Sequence, residues 1–251
     1  MRLLLVFLKE PIPGQVKTRL ATEVGAEEAA RYYKAMVEVI LKQLRGLQNC
    51  RIRFCYAPKD AEETIRFWIL PEMNATSSEQ DGVYRSPIYT SSQDSPQEID
   101  FRYQGDGNLG QKIEHSFASG FTEGFQSIAV IGTDCPACGA RWINAAFSRL
   151  ESNPSRDGII GPSLDGGYYL LALKSHTPEL FQEIPWSSKH VLNSTLNAAQ
   201  KNNLSFIQLP PLTDIDHLDD WKNLLESPLG AAIKKALGEE LENDNDFQIE
   251  T

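Results

Sequence analysis

The sequence predicts an α/β protein with a mostly parallel central sheet. Residues 3–8 are an unbroken apolar run, short enough for a strand buried on both faces. Ala29, Tyr33, Met36, Ile40, Leu44 and Leu47 then recur at helical spacing and mark the buried face of a long helix. Strand-length apolar runs alternate with helical stretches along the rest of the chain. That alternation gives parallel strands joined by right-handed crossovers.

The first strand stops at Pro11, Pro13 and Gly14, which impose a tight loop before a helix expected over residues 26–47. Residues 51–56 read as the second strand and 61–69 as a short helix. From 71 to 98, Asn, Ser, Thr, Gln, Asp and Pro dominate without a period, which predicts a mobile surface insertion. Its Tyr84 and Tyr89 offer the alternative of a lid over a ligand. Strands are expected at 99–104, 128–132, 158–161, 168–173 and 204–209. Helices are expected at 111–121, 140–150 and 185–200, the last capped by Ser187 or Ser188, and another after Asp216. The acidic end, 238–251, reads as a frayed tail.

A chain of 251 residues buries a full core, as one large domain or two small ones. Its net charge of −10 argues against non-specific binding to nucleic acid or an anionic membrane, so local cations stand out. No apolar run is long enough to span a bilayer. The N-terminal run is short, and Lys9-Glu10-Pro11 stands where a signal peptide would place small residues, so a cytoplasmic location is expected. Cys50, Cys55, Cys135 and Cys138 do not form a disulfide framework at this length. Ordinary thiols are favoured over a zinc site built from Cys135-Pro136-Ala137-Cys138 and the other pair.

Lys17, Thr18 and Arg19 place two cations and a hydroxyl beyond the first strand, where α/β folds bind ligands. Cations at a helix start oppose the helix dipole, so a bound phosphate accounts for them better than a solvated helix end. A P-loop is excluded, because Val16 precedes Lys17 and Pro11 stands where its first glycine belongs. Residues 105–110 match G-x-G-x-x-G between a strand and a helix and so raise a nicotinamide- or flavin-dependent oxidoreductase as a second hypothesis. Against it, the preceding strand alternates with charge, and the unit begins in mid-chain. Asp134 follows an apolar strand and suits either an Asx-turn or a hard cation. Asp214 and Asp216 repeat the arrangement, with Asp216 and Asp219 as an alternative helix cap. Asp165-Gly166-Gly167 lets backbone approach a ligand closely or makes a plain turn. Trp186 is core or a stacking surface. The four histidines show no metal spacing, and no G-x-S-x-G elbow is present.

Read in order, F-x-K-x-P-x-P-G-x-x-K-T-R-L (7–20), G-x-L-G (107–110), G-T-D-x-P (132–136), G-P-x-x-D-G-G-Y-Y-L-L (161–171), P-W-S (185–187) and D-I-D (214–216) resemble a bacterial family of GT-A-like glycosyltransferases, the selenodomain-associated transferases. The Lys-Thr-Arg-Leu and Asp-Gly-Gly segments are also similar to those of 2-phospholactate guanylyltransferases. The resemblance covers residues 3–225 outside the insertion. It implies a three-layer, Rossmann-like GT-A (nucleotide-diphospho-sugar transferase) fold, as one domain over residues 1–237. It further implies that Pro13, Gly14, Lys17, Thr18 and Arg19, with Asn108, Leu109 and Gly110, hold the nucleotide and its phosphates. Asp134 and Asp216 would bind Mg2+ or Mn2+, and Asp165, Gly166, Gly167, Tyr168 and Trp186 would face the donor sugar or acceptor. Asp165, Lys17 and Arg19 are the implied catalytic groups. The expected activity is glycosyl transfer from a nucleotide-diphospho-sugar to a small-molecule acceptor. The alternative is nucleotidyl transfer from a nucleoside triphosphate, with an oxidoreductase or a non-catalytic nucleotide-binding protein behind both.

Overall fold

The computed structural model describes residues 1–45, 47, 49–75, 82–86 and 96–238. Its strands are β1 (Arg2–Lys9), β2 (Cys50–Ala57), β3 (Tyr84–Ser86), β4 (Gln97–Tyr103), β5 (Ser127–Ile131), β6 (Gly158–Pro162), β7 (Tyr168–Leu173) and β8 (Phe206–Gln208). They form one sheet in the order β3-β4-β2-β1-β5-β7-β6-β8. The pairs β1/β2, β1/β5, β2/β4 and β6/β8 are parallel, whereas β7 is antiparallel to β5 and β6, and β3 to β4. Strands β1, β2, β4, β5, β6 and β8 therefore point the same way. From β1 the chain moves outward to β2 and β4 on one side, then returns to β5 on the other. The order reverses between β1 and β5, and there open α/β sheets leave a ligand crevice beyond the carboxyl ends.

The helices are α1 (Thr18–Val24), α2 (Ala26–Leu44), α3 (Glu62–Glu72), α4 (Leu109–Thr122), α5 (Ala140–Ser152), α6 (Val191–Lys201), α7 (Leu218–Glu226) and α8 (Gly230–Ala236). Leu3, Leu5 and Phe7 of β1 join Ile113 and Phe117 of α4 and Ala199 of α6 in one core cluster. Leu4, Val6 and Leu8 alternate to the opposite face and are equally buried. Burial on both faces is why this run reads as continuously apolar.

The described chain divides into two compact units, and the span expected as one domain contains both. The first, Met1–Glu10 with Ile40–Asp214, holds the whole sheet. The second comprises Pro11–Val39 and the chain from Ile215, and it stacks Tyr32 on Trp221 with ring centroids 3.9 Å apart.

Four sequence expectations change. The helix expected over 26–47 ends at Leu44 and is preceded by a separate α1. The helix expected from 185 starts at Val191, because Ser187 takes φ 63° and the Ser188 hydroxyl donates to the Pro185 carbonyl at 2.7 Å. Within the stretch read as an insertion, α3 runs on to Glu72 and β3 adds an antiparallel edge strand. Tyr84 is buried there, edge-on to Phe101, and so is no lid. Tyr89 and residues 239–251 lie outside the described residues.

The charge alternation in β4 has a partner in β2. Arg53 and Asp100 face each other in register, with Nε–Oδ1 and Nη2–Oδ2 contacts of 2.7 and 2.9 Å. Glu123 adds two more bonds to the same guanidinium, at 2.8 and 2.6 Å, and its carboxyl is held below the usual range chiefly by those bonds. Arg53 is 2 % exposed. Removing Asp100 leaves the buried guanidinium with Glu123 alone and its Nε–H unmet, and Asp100→Ala should lower the unfolding free energy by about 1–3 kcal/mol in urea denaturation. Glu123 contributes stability above its unfolded pKa of about 4.3 and loses it as pH falls through its lower folded value. Glu123→Gln should therefore flatten the acid limb of the stability curve.

Candidate functional site

Because most strands share one direction, the loops after β4, β5 and β6 and the segment after β8 all leave the same carboxyl edge of the sheet. Gln104 closes that edge. Its amide Nε2 donates to the carbonyls of Leu8 (3.0 Å) and Cys55 (2.9 Å), and its backbone N–H to Tyr56, tying together the ends of β1, β2 and β4.

After β4, Asn108 caps α4. Its side-chain oxygen accepts from the Gln111 N–H at 3.0 Å, while the Gln111 side chain accepts from the Asn108 N–H at 2.9 Å. This reciprocal box starts the helix two residues before the expected Gln111, and the Asn-x-x-Gln spacing was its sequence signal. Leu109 is exposed, whereas Gly110 is buried beneath Trp186. A Cβ on Gly110 would lie inside the van der Waals envelope of the indole nitrogen. Since β4 lies next to the three-residue edge strand β3, the glycine motif does not occupy the reversal point of the sheet, as a dinucleotide fingerprint does.

The reversal point belongs to the loop after β5. The Thr133 hydroxyl donates to the Phe7 carbonyl of β1 at 3.4 Å, and Asp134 follows with its side chain exposed. Beneath it, Cys135 and Cys138 are buried free thiols in one turn. Burial pushes the Cys135 thiol up to about 12, with further upward contributions from the negative charges of Asp214 and Asp134. Both aspartates therefore act on one thiol. Asp214 reaches this edge because the β6/β8 pairing continues past the strands, through Leu209 N–H to the Ile160 carbonyl and a Ser163–Leu212 bridge. Among the described residues, no group of three or more His, Cys, Asp or Glu converges as a metal cage.

The loop after β6 carries Asp165, exposed, with Oδ1 accepting from the Gly167 N–H at 2.9 Å. Gly166 has φ +93°, and a Cβ there would run into the Lys189 carbonyl, so both conformation and space require glycine. The Leu192 N–H donates to the Gly166 carbonyl at 2.9 Å. Trp186 also meets Tyr168 edge-on, with centroids 6.5 Å apart. Gly110, Tyr168 and the Asp-Gly-Gly turn thus all abut the segment from Trp186 to Leu192.

The remaining expected residues lie in the second unit. Lys17, in left-handed backbone at φ 46°, is 3 % exposed along its side chain. Its ammonium donates to the Ile215 carbonyl at 2.5 Å and lies 3.5 Å from Asp216 Oδ1. Arg19 pairs with Asp216 Oδ2 at 2.7 Å but stays 58 % exposed. Asp216, expected as a metal ligand, faces a cation with each oxygen. It is not a helix cap either, since His217 caps α7 in a box with Asp220. Pro13, Gly14 and Thr18 are exposed.

A family model described as "Uncharacterized protein conserved in bacteria (DUF2064)" matches residues 40–188. The chain belongs to this family. Among solved structures it is similar to a "putative nucleotide-diphospho-sugar transferase" from Desulfovibrio desulfuricans G20, at 27% identity and a TM-score of 0.73, covering 94% of this chain and 96% of that one. It shares its fold with a cytidylyltransferase from Leptospira borgpetersenii (10% identity, TM-score 0.52, 89% and 84% covered). A 4-diphosphocytidyl-2C-methyl-D-erythritol synthase from Anaerococcus prevotii matches similarly (8% identity, TM-score 0.50, 88% and 94% covered). No curated protein matches. The fold is that of the nucleotide-diphospho-sugar transferases and cytidylyltransferases. No described helix is long and apolar enough to cross a membrane.

Two outcomes test this geometry. Gly110→Ala should destabilise by about 1–3 kcal/mol through overpacking, and combining it with Trp186→Ala should cost less than the sum of the two single changes. The four buried thiols should resist a thiol reagent in the native protein and all react in denaturant.

Proposed function

We propose that this protein is a transferase acting on a nucleotide-activated donor, with glycosyl transfer from a nucleotide-diphospho-sugar to a small acceptor as the leading reaction. The observation that carries this reading is the exposed carboxylate of Asp134 at the reversal point between β1 and β5, on a fold shared at 27% identity with the Desulfovibrio protein. Asp134 and Asp214 fit a divalent metal as a pair of hard oxygen donors. Mg2+ and Mn2+ take such sites with one or two carboxylates, completing their shell with water and substrate phosphate. Asp214 is placed beside Asp134 in this role because both carboxylates act on the Cys135 thiol, whereas each oxygen of Asp216 faces a cation.

Such a metal, when bound, would stabilise charge developing on the leaving phosphate. Asp165 keeps one oxygen on the Gly167 N–H, which orients the carboxylate and leaves the other oxygen to accept a proton from an acceptor hydroxyl. Asn108, Leu109 and Gly110 form the turn toward the nucleotide, and Trp186 fixes Gly110 and Tyr168 at the sugar side. Within the second unit Arg19 keeps a solvent-facing guanidinium that can take a phosphate there, and Lys17 orients Asp216. Nucleotidyl transfer is the second reading, supported by the fold shared with the cytidylyltransferases.

Nucleoside diphosphates with Mn2+ should raise the melting temperature. At a hundredfold excess over Kd the stabilisation is about 2.7 kcal/mol. A flat response across all nucleotides removes both transferase readings. Asp134→Ala should leave unfolding within about 0.5 kcal/mol of wild type, as befits an exposed residue, while the Mn2+-dependent shift disappears. Product analysis with nucleotide-sugars and nucleoside triphosphates then separates glycosyl from nucleotidyl transfer.

A further inference from the structure

A cavity of about 570 Å³ opens at the amino end of α4, lined by Gln104, Gly105, Asp106, Gly107, Gln111, Glu114 and His115. Its volume lies within the range of small-molecule sites. Its wall carries two carboxylates and no Lys or Arg, so a phosphate is repelled. It carries no aliphatic side chain and no Phe, Tyr or Trp, so the His115 imidazole is the one ring in its lining on which a nucleobase could stack.

What the wall does present is a surplus of acceptors. Gln104 is only 6 % exposed and uses its amide nitrogen on Leu8 and Cys55, so the carbonyl oxygen is all its side chain has left to offer. Asp106 receives the Tyr103 hydroxyl on Oδ1, and Glu114 faces His176 with Oε1 at 2.6 Å. Each therefore keeps a second carboxylate oxygen for a ligand. A neutral group with several adjacent O–H donors satisfies such a wall, and a carboxylate accepts two neighbouring hydroxyls in charge-assisted bonds.

We propose that this cavity binds the vicinal hydroxyls of a saccharide through Asp106, Glu114 and Gln104. The diol belongs either to a separate sugar or to the ribose of a nucleotide. That a separate sugar here would be the acceptor rests on the transferase reading; the binding chemistry does not.

Saturation-transfer NMR on the full chain tests this with methyl α-mannoside, methyl α-glucoside, UDP and GDP as probes. Asp106→Asn and Glu114→Gln are the variants; neither residue is buried, and unfolding in urea confirms that each variant folds. The expected result is saturation on the diol protons of at least one probe, with binding weakened at least about tenfold in each variant. Response of a glycoside identifies a separate sugar, and response of ribose alone identifies the nucleotide's own. No sugar or ribose response, a response unchanged in both variants, or a loss confined to base protons overturns the proposal. The Mn2+–nucleotide melting shift is read in parallel. Its absence, with glycoside binding intact, removes the transferase reading and leaves the cavity assignment standing. Its presence, with no sugar contact, does the reverse.

Discussion

Strand β1 is buried on both faces and paired in parallel on both edges, and most of the site follows from that constraint. A strand so placed must be apolar throughout, and its two neighbours must run with it. The carboxyl ends of β1, β2, β4 and β5 then lie along one edge, and the order of strands reverses beside β1. A single polar residue, Gln104, supplies the hydrogen bonds that strand ends would otherwise leave unmet, while keeping its carbonyl oxygen for the cavity at α4. Packing of one strand thus determines where polar chemistry can collect.

The protein combines this edge with two different treatments of charge. At Arg53 a cation is fully enclosed by Asp100 and Glu123, which makes the β2/β4 register specific. At Asp134 a carboxylate is left facing solvent above buried, protonated thiols. The first arrangement holds strands in place. The second leaves a carboxylate within reach of solvent at the point where the strand order reverses.

Much of this was legible in the sequence. The alternation of apolar runs and helical periods carried the α/β class, and the ordered motifs carried the fold family. The edge strand β3 was not legible, because three residues are too few to show a period. The late start of α6 was hidden in the Pro185–His190 turn, where Ser187 adopts a left-handed conformation that serine seldom takes. The pairing of Asp216 was also closed to sequence reasoning. Asp216 flanks the buried Ile215, and its partners Lys17 and Arg19 lie nearly two hundred positions away. Lys17 and Arg19 stood out in the sequence as cations near a helix start; that Asp216 lies beside both depends on tertiary contact.

The contact of Trp186 with Gly110 has a consequence for how the family can vary. The indole occupies the space of any side chain at position 110, and Tyr168 limits its retreat on another side. Positions 110 and 186 are therefore sterically coupled in this chain. A larger residue at the first would need a smaller one at the second, or a shift of the turn leading into α4 against the turn leading into α6.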